Sequence, residues 1–296
     1  MKERVFGLDV IRCIAILMVL FCHTLWLLDG VTFFGRGFIQ SLGFFGVELF
    51  FILSGFLIGN ILYDWFDADT SYKRLFHFYA RRWLRTLPLY YTVLIINVLL
   101  ALYFGNSLPD KTHQYIFFFQ NALSRMPDFF NESWSLSVEE SIYLIIPFLL
   151  LIIKKSFPKI PFKQVFIYVI LGIILLAFGN RFYALNKVAH QINYVWNLDV
   201  KAVVIYRLDA ILYGFLIMYL YKHFTHYLSK YRILLVVFAF LFYQIAKTII
   251  YHGFGFEVFQ VVFYLPIVSI SLALMIPFFY QLKPIINFEV KQVDFY

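Results

Sequence analysis

Arg12 and His23 stand eleven residues apart in GLDVIRCIAILMVLFCHTLWLL, the first hydrophobic stretch of the chain. Eleven helical steps of about 100° return almost to the starting azimuth, and at about 1.5 Å per residue the two groups lie roughly 16 Å apart along the axis. They face one space from different depths. A cation at the bilayer centre costs on the order of 2.5–3.5 kcal/mol on insertion scales, so the pair reads first as a functional site facing a bundle interior. The plainer reading has Arg12 snorkelling to one interface and His23 capping a bend near the other.

Three further constellations carry chemistry. In YKRLFHFYARRWLRTLPLYY, Arg81, Arg82 and Arg85 fall on one side of a helix just before a hydrophobic run. Planar guanidinium groups so placed hold phosphate bidentately, which suits a nucleotide-like donor arriving from the cytosol. As a plain membrane feature the cluster is a positive-inside anchor on lipid headgroups. In NESWSLSVEESIYLIIP, Ser133 or Ser135 is a candidate cap, and Glu139 and Glu140 fall in the first turns, where the helix dipole favours an anion. Glu139 and Tyr143 share a face, so an acid and a phenol point together into the bundle; alone, the pattern is an ordinary capped helix start. In GFFGVELFFILSGFLIGN, Ser54, Gly55 and Gly59 form a small-residue strip for close helix packing. Glu48, one or two turns inside that span, needs a partner such as Arg12 or Arg207.

The elements that must position these residues are helices in a membrane. Of 296 residues, 62% are apolar, 22% aromatic and only 14% charged, far from the balance of a water-soluble domain. The expectation is an all-α polytopic transmembrane bundle of about eight spans, near 8–28, 43–63, 87–104, 138–153, 163–179, 203–221, 233–250 and 258–280. The first reads as a retained helix, since no small-residue cleavage site follows it and further spans do. YIFFFQNAL at 115–123 is too short to cross and reads as interfacial or re-entrant. With the N-terminus in the cytoplasm, sixteen of the 25 basic residues fall on the cytoplasmic side, the asymmetry expected of that orientation. The net charge of +8 is then a topology signal with attraction to anionic lipid, and no nucleic-acid partner is expected. Cys13 and Cys22 lie about 13 Å apart on opposite helix faces, out of reach of one another. The histidines are scattered, so no metal cluster is expected. No repeat or linker divides residues 1–296, which read as a single domain.

In this order, the four stretches resemble the acyltransferase 3 family of integral membrane acyltransferases. GLDVIRCIAILMVLFCH resembles its Arg-x10-His pattern, GVELFFILSGFLIG its FFxxSG, FYARRWLRTLPLYY its RxxR and WSLSVEESIYLIIP its WSLxxEExxY. A fifth piece, YRLDAILYGFLI with Arg207, Asp209 and Gly214, resembles its R-x-D-x(4)-G helix. The resemblance implies transfer of an acyl group, acetyl above all, from cytosolic acyl-CoA to a hydroxyl of a cell-envelope or exported glycan. It places the enzyme in a bacterial cytoplasmic membrane, with acyl-CoA as co-substrate and no tightly bound cofactor. It assigns His23 as general base, Arg12 to the thioester oxyanion or the donor's charged portion, Glu139 as a partner of His23, and Arg82 and Arg85 to the donor phosphates. Glu48, Ser54, Tyr143 and Arg207 support them. Family members usually continue into one or two further helices, whereas KPIINFEVKQVDFY forms no span, which predicts a C-terminally shortened domain. Two other readings fit the same residues: a proton-coupled transporter or flippase built on the intramembrane Arg/His/Glu set, and an inactive truncated acyltransferase.

Overall fold

The computed structural model describes residues 5–28, 34–188, 195–251 and 258–284. Among them every regular element is helical, and seven helices are long and apolar enough to cross a membrane. The chain is a multi-pass helical bundle. We number the α-helices α1 (Phe6–Thr24), α2 (Arg36–Ala68), α3 (Tyr72–Tyr103), α4 (Trp134–Ser156), α5 (Phe162–Val188), α6 (Leu212–His223), α7 (Thr225–Lys230), α8 (Arg232–Tyr251) and α9 (Tyr264–Tyr280).

Helix α2 is the axis of the bundle, packed against α1, α4, α5, α6 and α9. Small residues let its neighbours come close. A Cβ on Gly55 would meet the Ile211 carbonyl oxygen at 2.0 Å, and one on Gly214 would meet that of Ile52 at 2.2 Å. The small-residue strip is therefore an α2–α6 contact. Gly46 plays the same part against Ala15 and Val19 of α1. Helices α3 and α8 are the least covered of the spanning helices, and their exposed leucine, isoleucine and phenylalanine side chains are the surface a bilayer would wet.

Two expectations are corrected. The third span does not begin at residue 87: α3 starts at Tyr72, where the Ser71 hydroxyl accepts from the Arg74 amide, and Arg74 closes the turn onto Asp69 and the Trp65 carbonyl. The basic segment is thus the first half of one long helix. The span read at 203–221 is broken. A π-turn at Asn197–Lys201 and a 3₁₀ turn at Val204–Tyr206 precede a helix of only 12 residues. Buried non-helical backbone requires hydrogen-bond partners, which the segment has. The 115–123 stretch is, as expected, a short non-crossing piece: a 3₁₀ turn at Thr112–Phe117, after which the Asn121 and Ala122 carbonyls accept from the amides of Val204 and Ile205. The polar tail from residue 285 lies outside the described residues, as do His190 and His252.

Candidate active site

Two ion pairs fix the broken segment. Arg207, at the end of the 3₁₀ turn, donates to Glu48 of α2, and Ser269 of α9 donates to the other carboxylate oxygen at 3.0 Å. Both charged side chains are almost fully buried. Glu48 therefore takes Arg207, one of its two expected partners, and not Arg12. Beside it, Arg181 of α5 grips Asp209 through two hydrogen bonds of 2.8 Å, and donates to the carbonyls of Tyr206 (2.8 Å) and Val262 (3.1 Å). The Tyr213 hydroxyl adds a third donor to Asp209 at 3.1 Å. One guanidinium so satisfies both the buried acid and carbonyls that the irregular backbone leaves free.

The second cluster joins α3 to α4. Arg82 donates to Glu139 at 3.1 Å, faces Glu140 at 3.5 Å and lies 3.2 Å from the centre of the Tyr143 ring. Thr86, one turn on, donates to Glu140 at 3.4 Å. The Tyr143 hydroxyl is buried without a hydrogen bond, with Ser54 of α2 beside it. Pro147 leaves the α4 ladder short of a donor, and Tyr79 of α3 bonds the nearby Leu144 carbonyl at 2.7 Å.

Arg12 and His23 are not enclosed. Arg12 pairs with Asp9 on the same helix at 2.6 Å, with about two fifths of its side chain still exposed. His23 is exposed in the last turn of α1 and has no hydrogen-bond partner among the described residues. Helix α1 packs along α2 and α9 and makes no comparable contact with α3 or α4. The structure does not bring Glu139 to His23: Glu139 accepts from Arg82, which it shares with Glu140.

Two cavities open at the end of the bundle where α1 begins. One, of about 790 Å³, lies between α1, α2 and α6 and is lined by Asp9, Arg12, Asn60, Lys222 and the rings of Tyr221 and Tyr280 among others. The second, of about 620 Å³, lies between α2 and α3 and is lined by Asp64, Trp65, Arg81, Arg82 and Arg85. Arg81 and Arg85 are exposed in it, whereas Arg82 is committed to the two glutamates.

This chain matches the acyltransferase domain family Acyl_transf_3 over residues 5–289. It belongs to the acyltransferase 3 family. The chain is 31% identical over 152 residues to the peptidoglycan O-acetyltransferase OatA of Listeria monocytogenes serovar 1/2a, a stretch covering 46% of this chain and 24% of that protein. It is 27% identical over 187 residues to the O-acetyltransferase OatA of Staphylococcus aureus strain NCTC 8325, covering 57% of this chain and 29% of the relative. The chain thus spans less than a third of the length of these curated relatives. No solved structure gives a significant match.

Within the bundle, the sequence offered Glu48 two partners, of which the structure takes Arg207, and it set Glu139 on the same face as Tyr143, where both meet Arg82. It missed Arg82 as the partner of Glu139 and Glu140, having set the arginines and Glu139 on opposite sides of the membrane, and it missed the Arg181–Asp209 and Lys222–Asp64 ion pairs. A four-residue spacing along α3, Arg82 to Thr86, was the available signal for a polar stripe facing α4.

Proposed function

We propose that this protein moves an acyl group, acetyl by preference, from acyl-CoA on the cytosolic side to a hydroxyl of a cell-envelope or exported glycan, in the cytoplasmic membrane of a bacterium. The observation that carries the reading is the pair of adjoining cavities at the α1-start end, whose basic side chains face a space open to an anionic donor. The names of the Listeria and Staphylococcus relatives support the O-acetyl part.

In this reading Arg85, with Arg81 beside it, holds donor phosphate. Arg82 stands behind them and ties α3 to Glu139 and Glu140, so Glu139 acts by holding the arginine helix in register. Arg12, beside the larger cavity, holds the donor's charged portion. At the other end of α1, the exposed imidazole of His23 takes the proton of the acceptor hydroxyl as its oxygen attacks the thioester carbonyl. The carbon–sulfur bond breaks, an ester forms, and the proton passes from His23 to the departing thiolate. Ser54 and Tyr143 shape the wall between the clusters, and the Glu48–Arg207 pair keeps the broken segment in place.

The test is label transfer in proteoliposomes loaded with acetyl-CoA carrying a labelled acetyl group and supplied with a hydroxylated glycan. Labelled glycan from the wild-type chain, and none from His23→Ala, supports the reading. Wild-type protein that binds no CoA in any form would remove it.

A further inference from the structure

The two cavities share Ile61 in their walls, and one ion pair stands across the partition. Lys222 of α6 lines the larger cavity, while its partner Asp64 of α2 lines the smaller. The ammonium is also 3.5 Å from the Asn60 side-chain oxygen and 4.8 Å from the centre of the Tyr63 ring. It is about a third exposed, so it is held in place but still reachable from the cavity. Across the larger cavity lies Arg12. Between them the wall is aromatic: Tyr221 and Tyr280 have ring centres 4.8 Å apart, and Phe56 lies 5.7 Å from Tyr280.

The two cavities thus differ in what they offer. The smaller presents Arg81 and Arg85 with Asp64 at its edge and suits a chain of phosphates, whereas the larger combines Lys222 and the Asp9-paired Arg12 with aromatic surface and suits a planar base that carries its own phosphate. A ligand filling both must bear two separate anionic groups on either side of a nucleoside.

We propose that the cavity between α1, α2 and α6 is the nucleoside 3′-phosphate subsite of the donor, with the purine against Tyr221 and Tyr280 and the 3′-phosphate on Lys222 and Arg12. The 5′-diphosphate then crosses the Lys222–Asp64 partition to Arg81 and Arg85. This rests on the acyl-CoA reading above and gives it a residue, Lys222, that tells CoA from its analogue lacking the 3′-phosphate.

The experiment is equilibrium binding of CoA, 3′-dephospho-CoA and adenosine 3′,5′-bisphosphate to the purified full chain in detergent. Wild-type protein is expected to prefer CoA over dephospho-CoA by about 10-fold or more, the worth of a charge-assisted hydrogen bond. Lys222→Met should abolish that preference by weakening CoA while leaving dephospho-CoA within about twofold, as should the charge-balanced Lys222→Met/Asp64→Asn double variant, which leaves no unpaired acid. Lys222→Arg should keep the preference. Tyr280→Leu should weaken all three ligands together. CoA and dephospho-CoA binding equally to the wild type, or a preference that survives in both Lys222→Met variants, would overturn the subsite and leave the donor reading standing. A wild type that binds none of the three ligands would overturn both.

Discussion

Arg82 of α3 and Glu139 of α4 are joined by a 3.1 Å hydrogen bond, with Glu140 on the same guanidinium. One cation thus serves two acids, all three with a fifth or less of their side chains exposed. Through Arg82, a wall residue of the arginine-lined cavity, α3 and α4 share one charge cluster.

Replacing Arg82 by Met leaves both carboxylates without their cation, and removal of one partner from a buried pair typically costs about 3–5 kcal/mol. Glu139→Gln leaves Arg82 paired with Glu140 and should cost clearly less. Added to Arg82→Met, it should recover part of the loss, because two adjacent acids become one. Thermal unfolding of the four proteins in detergent measures the coupling. An Arg82→Met variant as stable as Arg85→Met, whose side chain lies exposed in the cavity, would show that the cluster does not hold α3 to α4.

The α2–α6 crossing predicts a steeper effect from a single methyl group. Alanine at Gly55 or Gly214 would put Cβ within 2.2 Å of a backbone carbonyl oxygen of the partner, where neither helix can give way without separating. Gly172 and Gly179 have no heavy atom within 4 Å of the corresponding position. Gly55→Ala and Gly214→Ala should sharply reduce the yield of monodisperse protein in size-exclusion chromatography, and Gly172→Ala and Gly179→Ala should not. Equal yields from all four would mean that the close approach is dispensable.

The glycine strip, the Glu48 acid and the Arg207 cation were all legible in the sequence, because small and charged residues inside apolar runs have few reasons to be there. The break at 197–211 was not. VVIYRLDAILYGFLIMYL is apolar enough to read as one span, and its irregular backbone is held from elsewhere in the chain: Arg181 of α5 donates to Asp209 and to the Tyr206 and Val262 carbonyls, and Arg207 pairs with Glu48 of α2. Arg181 itself, near the far end of α5 in the sequence FGNRFYAL, resembles any loop-flanking arginine. The start of α3 was hidden for the opposite reason: Lys73, Arg74, Arg81, Arg82 and Arg85 depress hydropathy over a stretch that the Ser71 cap makes helical. Charge lowers an apolar score without lowering helix propensity.

Lys201 supplies a pH prediction. It ends the π-turn at Asn197–Lys201, outside the seven long apolar helices, with its ammonium 5.1 Å from the Trp134 ring centre and 5.9 Å from that of Phe44. Burial, with the nearby Arg207 charge, pushes its pKa from 10.5 down to about 8. Below pH 8 the group is charged in both folded and unfolded chains, and the folded state bears the whole penalty. Between about pH 8 and 10.5 the folded chain holds fewer protons than the unfolded one, so stability from this group rises with pH and levels off above that window. Lys201→Met should therefore unfold at a higher temperature than the wild type at pH 7.5, with the advantage shrinking by pH 10. A difference in midpoint that is the same at both pH values would refute the shift.

His23 and Arg12 lie on one face of α1 but in different surroundings, one exposed in the last turn and the other beside a cavity. As general base, His23 takes its proton from the acceptor and contributes nothing to holding the donor's phosphates. His23→Ala should then lower turnover by about 10²–10⁴-fold while CoA affinity stays within twofold. Arg12→Ala should lower both, since it removes a cation that holds the donor in its cavity. His23→Gln, which keeps a side-chain hydrogen bond but takes no proton, separates positioning from proton transfer and should be as slow as the alanine variant. Steady-state rates with labelled acetyl-CoA, alongside binding measurements on the same preparations, distinguish these cases. A His23→Ala enzyme retaining more than about a tenth of the wild-type rate would end the general-base assignment, because removing a true base costs at least ten times more than that.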